Sequence, residues 1–306
     1  MPYNPTACTL CPRRCGADRT FGHAGLCGES DMIRVGRAAL HFWEEPCISG
    51  SCGSGTVFFA GCTLRCVYCQ NHDLIRSGAG IPVSADRLME IFFELKAKGA
   101  ANINLVTPDP FIPQILPVIR SAKSAGLKLP FVWNLSGYET LEQLRMLEGS
   151  ADIYLTDLKY LDTELAAKYS AAPDYPKTAK AALSEMIRQK PLLRFDENGM
   201  LQEGVIVRHL LLPGHVNASK SVLRYLKETG GEQILISIMN QYTPRPGIET
   251  RFPELARRVT KREYERLIDY ALSLGMENAF VQEGGTALES FIPAFDGEGV
   301  LPSSSL

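Results

Sequence analysis

Gly61-Cys62-Thr63-Leu64-Arg65-Cys66-Val67-Tyr68-Cys69-Gln70-Asn71 is the stretch around which the rest of the chain is organised. It is a C-x3-C-x2-C triad that follows a β-branched and aromatic run at 56–60, so it sits where a strand opens into a loop. Three thiolates this close together suit three corners of a cubane iron–sulfur cluster. No later cysteine closes the site, which leaves one iron open to a bound small molecule. The alternative is a structural zinc site with His72 as a fourth ligand. Zinc motifs usually split into two separated pairs, whereas here three sulfurs crowd one loop.

Beyond Cys69 short apolar runs alternate with longer amphipathic segments, the βα signature of a parallel sheet. Strands are expected at 56–60, 102–107, 130–135, 152–156, 204–211, 233–238 and 279–282, and helices at 84–98, 111–125, 140–148, 176–190, 218–228 and 261–274. Ser84 and Thr140 fit as N-caps, and Gly99, Gly126, Gly149 and Gly275 stand where helices should stop. The expected fold is therefore α/β, an incomplete parallel βα barrel of about six to seven strands with a Cys-rich N-terminal extension. Residues 1–55 read as that extension, 56–292 as the barrel with a Pro- and Arg-rich loop at 240–260, and 293–306 as a loosely ordered C-terminal tail. Neither a Gly-x-Gly-x-x-Gly turn after a strand nor a Walker loop is present, which weakens nucleotide-binding alternatives.

Composition narrows the function. With 45% hydrophobic and 22% charged residues, the 306-residue chain has the make-up of a folded globular protein. The 32 Lys and Arg against 34 Asp and Glu leave −2, so no nucleic-acid partner and no anionic membrane surface is expected. No apolar run is long enough for a membrane span and the first residues lack a signal-peptide pattern, so a cytoplasmic protein is expected. All nine cysteines lie before residue 70, and in a reducing compartment clustered thiols read as metal ligands. Cys8-x2-Cys11-x3-Cys15, followed by Cys27, supplies four soft ligands for either a tetrahedral zinc or a second, fully ligated cluster. Cys47 and Cys52 are further candidates or inert thiols.

With Tyr68 before its last cysteine, the triad resembles the C-x3-C-x-Φ-C signature of the radical S-adenosylmethionine superfamily. The Cys8–Cys27 leader, His41-Phe-Trp-Glu-Glu-Pro46, Gly53-Ser-Gly-Thr-Val57 and the triad are similar to the subgroup of pyruvate formate-lyase activating enzyme-like proteins. The resemblance implies a [4Fe–4S] cluster on Cys62, Cys66 and Cys69, reductive cleavage of S-adenosylmethionine, and hydrogen abstraction. It points to a peptide or protein glycine as the target and to an electron donor of the flavodoxin or ferredoxin type. Other readings are a radical enzyme acting on a small metabolite or RNA, a non-catalytic zinc protein, and an iron–sulfur electron carrier.

By the same resemblance Thr107-Pro108-Asp109-Pro110 matches the Gly-Gly-Glu-Pro turn that meets the methionine amino group, with Asp109 standing in for the acid. Pro108 lacks an N–H, a departure from that pattern. Asn134 and Ser136, and Asp157-Leu158-Lys159, resemble the family's cofactor-facing strand ends, with Lys159 the ligand and Asp157 read as its salt-bridge partner. Arg208 resembles the fifth-strand arginine, whose planar fork suits a carboxylate, or else it serves an ion pair in the barrel wall. His209 should point the other way and be structural. Met239, Asn240, Gln241, Tyr242, Gln282 and Glu283 end strands and are expected beside substrate space.

Overall fold

The computed structural model describes residues 3–76, 78–282 and 293–302. Its strands and helices run in the order β1 (Arg34–His41), α1 (Pro46–Ser49), β2 (Ser54–Phe59), β3 (Ile81–Pro82), α2 (Ala85–Ala97), β4 (Ile103–Val106), α3 (Ile112–Ser124), β5 (Phe131–Leu135), α4 (Leu141–Leu147) and β6 (Ile153–Asp157). They continue with α5 (Thr163–Ser170), α6 (Tyr175–Gln189), β7 (Arg194–Phe195), β8 (Leu201–Leu210), α7 (Val216–Gly230), β9 (Leu235–Met239), α8 (Lys261–Ser273) and β10 (Ala279–Val281). Four helices start on side-chain caps: Ser84 accepts from the N–H of Arg87, Asp162 accepts from those of Glu164 and Leu165, and Thr140 and Thr260 form capping boxes with Gln143 and Glu263.

The sheet order is β10-β9-β8-β6-β5-β4-β2-β1-β3, and every pairing from β2 to β10 is parallel. The seven expected strands are these seven parallel ones, and the six expected helices are α2, α3, α4, α6, α7 and α8. Among the described residues the end strands, β10 and β3, do not pair, so the barrel stays open on one side.

Alternation along each strand sends one set of side chains outward to the helices and the other inward. Trp133, Tyr154, Val205 and Ile236 join the large helix-facing core, where Phe92 meets Phe131 edge-on at 5.4 Å between ring centroids. Val132, Ile153, Leu155 and Ile206 form a separate inner cluster with Ile48 of α1, which plugs the barrel from below.

Two expectations are corrected. Residues 34–41, read as part of the extension, form β1, antiparallel to β2 and a continuation of the same sheet. Gly36, Ala38 and Ala39 blur its alternation, so its pattern is weak in sequence. The tail at 293–302 is also not loose. Arg87 donates to the carbonyls of Gly299, Val300 and Leu301, Ala38 N–H donates to Glu298, and Val300 is fully buried. A buried arginine on α2 collects carbonyls that lie some two hundred residues away, a link no local pattern reveals.

Candidate active site

The triad loop leaves the C-terminal end of β2, the end at which barrel proteins place their chemistry. Its path is set by close contacts with the N-terminal segment. Gly61 sits at φ +77°, and a Cβ there would lie 2.3 Å from Glu29 Cγ and 3.0 Å from the Cys27 carbonyl oxygen, so only glycine fits. Cys62 N–H then donates to that Cys27 oxygen (3.1 Å), and Val67 N–H to the carbonyl of Tyr169 (2.9 Å). Arg13 clamps the loop from the other side, donating to Thr63 O (2.9 Å), Ala171 O (2.6 Å) and Ser170 O (3.3 Å) with its guanidinium 5.1 Å from the Tyr138 ring centroid. Arg245 reaches Val67 O (3.2 Å), and Gln70 reaches Gln241 O (3.2 Å), so the loop after β9 covers the triad.

The three thiols lie close together and half-buried. Burial raises the pKa of Cys62, and the proximity of Cys69, Asp109 and Cys66 raises it further. Burial likewise pushes Cys69 up to about 11 and raises Cys66, whose sulfur also faces Lys159. Thiols held protonated in this way load a metal by exchanging protons for it. Among the described residues no group of three or more His, Cys, Asp or Glu side chains converges on one ion position. His72 instead places Nε2 3.6 Å from Asp73. Three neighbouring sulfurs with no later cysteine to close the set suit three corners of a cluster.

A hydroxyl chain backs Cys66. Its sulfur is 3.0 Å from Ser170 Oγ, which is 3.1 Å from the Tyr160 hydroxyl, and Tyr160 in turn bonds the hydroxyl of buried Tyr68. Tyr68 therefore lies behind the sulfurs, anchored by its hydroxyl. Neither Tyr160 nor Ser170 carries a motif; only the packing of α5 brings them here.

Asp109 is almost fully buried next to the triad, where its carboxyl meets that of Glu139. It follows Thr107, held at φ +56°, the left-handed conformation that the missing glycine of the motif would adopt freely. Glu139, which the sequence reading passed over, lies against Asp109. Burial raises the pKa of both carboxyls, and Asp109 raises that of Glu139 further. Ser136 is turned to Glu139, donating to Oε1 from its N–H (3.1 Å) and its hydroxyl (3.2 Å). The signal for Glu139 was its place three residues after Ser136, inside the same strand-end turn.

Lys159 pairs with Asp157. Burial opposes its charge, but the Asp157 carboxylate and the Cys66 sulfur outweigh burial and keep the ammonium protonated. The Tyr175 hydroxyl ties this end of β6 to β5, accepting from Lys159 N–H and lying 3.0 Å from the carbonyls of Ser136 and Asp157. Asn134, half-buried, pairs with Val106 on one side and Leu155 on the other at the same end of the sheet.

Arg208 lies inside the barrel with its fork occupied. It grips Glu45 with two bonds of 2.8 Å and also pairs with Glu44, which accepts from Asn104 at 2.9 Å. The carboxylates it binds thus come from His41-Phe-Trp-Glu-Glu-Pro46. His209 faces outward and is buried, its Nδ1 2.8 Å from the Leu158 carbonyl and its Nε2 without a partner. Tyr242 is buried and donates to Leu255 O (2.6 Å), while Gln282 bridges Asn240 N–H and Gln241. Glu283 lies outside the described residues. Cys47 and Cys52 are at the opposite end of the strands, lining a cavity of about 780 Å³ with Met200 and Phe280.

The sequence matches the family described as Radical SAM superfamily over residues 56–239, which runs from β2 to β9 and includes the whole triad. The chain belongs to the radical SAM superfamily. It is 28% identical over 271 residues to an uncharacterized protein of Methanocaldococcus jannaschii, covering 86% of this chain and 74% of that one. Similar solved structures include Streptococcus suis SuiB bound to its precursor peptide SuiA (TM-score 0.48, 13% identity, 74% of this chain). The chain spans about half the length of SuiB, at 47%. The FeFe-hydrogenase maturase HydG of Carboxydothermus hydrogenoformans aligns at TM-score 0.46 and 14% identity, over 78% of this chain and 55% of that one. A domain of pyruvate-formate lyase-activating enzyme from Bacteroides vulgatus aligns at TM-score 0.40 and 9% identity, over 56% and 91%. Among the described residues no helix is long and apolar enough to cross a membrane.

As a radical SAM protein the chain needs residues for a cluster and for S-adenosylmethionine, and those present fit both. The triad supplies three neighbouring sulfurs for a cluster. Asp109 and Glu139 supply a buried acidic pair beside it, which suits the ammonium of the methionine end.

Proposed function

We propose that this chain is a radical S-adenosylmethionine enzyme whose target is a glycine in a peptide or protein segment. The observation that carries the cofactor reading is Asp109, a buried acid beside Cys62 whose side-chain partner is another buried acid, Glu139. A buried pair of carboxyls is costly, and an amino-acid ammonium relieves that cost.

When bound, the cluster on Cys62, Cys66 and Cys69 and S-adenosylmethionine supply one-electron cleavage of the sulfonium and hydrogen abstraction by the resulting 5′-deoxyadenosyl radical. The protein's own groups position and shield. Asp109 holds the ammonium, with Glu139 keeping its proton beside it as a hydrogen-bond donor. Lys159, charged and oriented by Asp157, faces the methionine carboxylate, and Thr107, Asn134 and Ser136 frame the same strand ends. Tyr68 and the hydroxyl chain fix Cys66. Phe58, Leu74 and Val106 form an apolar cluster at these strand ends and exclude water. Arg208 is spent on Glu44 and Glu45 and stiffens the barrel interior.

The peptide reading is supported by β10 and β3, which do not pair among the described residues, since an extended segment reaches a partly closed barrel from the side. The electron donor would be a low-potential flavodoxin- or ferredoxin-type protein. The test is anaerobic turnover under dithionite with peptides carrying α-deuterated glycine. Deuterium in 5′-deoxyadenosine supports the reading. Cofactor cleavage without label from any glycine peptide, but with label from a small metabolite, overturns the peptide assignment.

A further inference from the structure

We propose that Cys8, Cys11, Cys15 and Cys27 ligate a second iron–sulfur cluster, of the [4Fe–4S] type with all four corners held by protein. The site goes beyond the substrate reading and does not depend on it.

The spacing is the first argument. Three of these cysteines fall between residues 8 and 15 and the fourth follows at 27, a close trio plus one remote ligand. Zinc ribbons set their ligands as two close pairs, whereas cluster proteins commonly use three close cysteines and a distant one.

The fold brings the four together. Cys8 N–H donates to Ala17 O and Gly16 N–H to Cys8 O, both at 2.9 Å, which folds the trio back on itself. A Cβ placed on Gly25 would lie 3.4 Å from Cys15 Sγ and 3.7 Å from Cys27 Sγ, so these two sulfurs flank one small residue. All nine cysteines are free, so no disulfide accounts for the gathering. Yet the four do not converge on a single-ion position, as the triad does not.

Arg19 supplies an independent observation. It is 1% exposed, and its guanidinium donates to the carbonyls of Glu29 (3.2 Å), Ser30 and Pro110 (2.8 Å), with Nη1 3.9 Å from Cys8 Sγ. The buried Glu29 carboxyl feels its charge, but burial still pushes that acid up to about 7, so it offers Arg19 only partial compensation. A buried cation so weakly balanced calls for a further negative centre. Four thiolates around an iron–sulfur core carry net negative charge, and Arg19 touches their edge.

The site is also joined to the triad. Cys27 O accepts from Cys62 N–H at 3.1 Å, Arg65 donates to Leu26 O at 2.8 Å, and Arg19 spans from Cys8 to Pro110, the residue after Asp109.

The experiment uses the full chain reconstituted anaerobically with iron and sulfide, as wild type and as the triple variant Cys62→Ala, Cys66→Ala, Cys69→Ala. Iron, zinc and acid-labile sulfide are measured per chain, and electron paramagnetic resonance follows dithionite reduction. The triple variant should keep about half of the wild-type iron and sulfide and show a reduced-cluster signal that S-adenosylmethionine leaves unchanged. Adding Cys27→Ser to it should remove that signal, and Arg19→Met in the triple variant should shift its midpoint to a more negative potential. A triple variant that holds zinc without sulfide, or holds no metal, overturns the proposal. Those outcomes leave the triad's own chemistry untouched, so this inference and the proposed function fail separately.

Discussion

Ser170 Oγ lies 3.0 Å from Cys66 Sγ, and the same hydroxyl is within 3.1 Å of Tyr160. The sulfur of a triad residue is thus held by a hydroxyl from α5, a helix with no signature of its own. Hydrogen bonds to ligand sulfur raise a cluster's reduction potential because they favour the more negative, reduced state. Ser170→Ala should therefore lower the midpoint potential in a redox titration of the reconstituted protein. It should also cost about 1–2 kcal/mol in denaturant unfolding through the lost buried hydroxyl contacts. An unchanged potential would show that the hydroxyl serves packing alone.

Arg13 is the tie between the N-terminal segment and the barrel, with three carbonyl acceptors and one aromatic face. Arg13→Ala should destabilise by about 2–3 kcal/mol, read as a fall in the urea midpoint with little change in slope. Arg13→Lys should recover only part of this, since an ammonium cannot reproduce the planar fork that reaches Thr63, Ser170 and Ala171 together. Full recovery by lysine would mean that charge, and not geometry, is what the site needs.

Asp109→Asn separates binding from stability. Removing one acid of a buried carboxyl pair should leave the metal-free fold equally or more stable. It should weaken S-adenosylmethionine binding about 10- to 100-fold, or about 1.4–2.8 kcal/mol, through loss of the ammonium's anionic partner. Equilibrium binding under non-reducing conditions and thermal unfolding together check the opposite signs. Unaltered affinity would remove Asp109 from the cofactor site.

His209 predicts a pH dependence of stability. Burial lowers its pKa from 6.5 to about 4, because charging the imidazole behind β8 costs hydration that the Leu158 carbonyl does not replace. Between these values the unfolded chain takes up a proton and the folded chain does not. The contribution is complete above about pH 6.5, is lost as the pH falls toward 4, and changes little below that. Its size is about 3 kcal/mol. Urea unfolding from pH 7.5 to 4 should show this slope, and His209→Phe should flatten it. An equal slope in the variant would place the titration elsewhere.

Much of the scaffold was legible because parallel strands buried on both faces read as continuous apolar runs and helices as periodic ones with caps. β1 was not, since Gly36 and the paired alanines carry little pattern, and the docking of 293–302 depends on Arg87, distant in sequence. The triad was legible from spacing alone. Glu139, Ser170 and Tyr160 were not, because each is an ordinary residue made relevant by a neighbour from another element.

By itself the sequence determined what belongs to local order: the seven parallel strands, the helices between them, and a thiol triad at a strand end. These follow from periodicity, caps and ligand spacing, which act over a few residues. It took the packing of the whole chain to bury Asp109 against Glu139 beside Cys62, to satisfy Arg208 with Glu44 and Glu45, and to bring the Cys27 carbonyl to the Cys62 N–H. Burial and charge pairing depend on which distant segments meet, and that is set by packing of the whole chain.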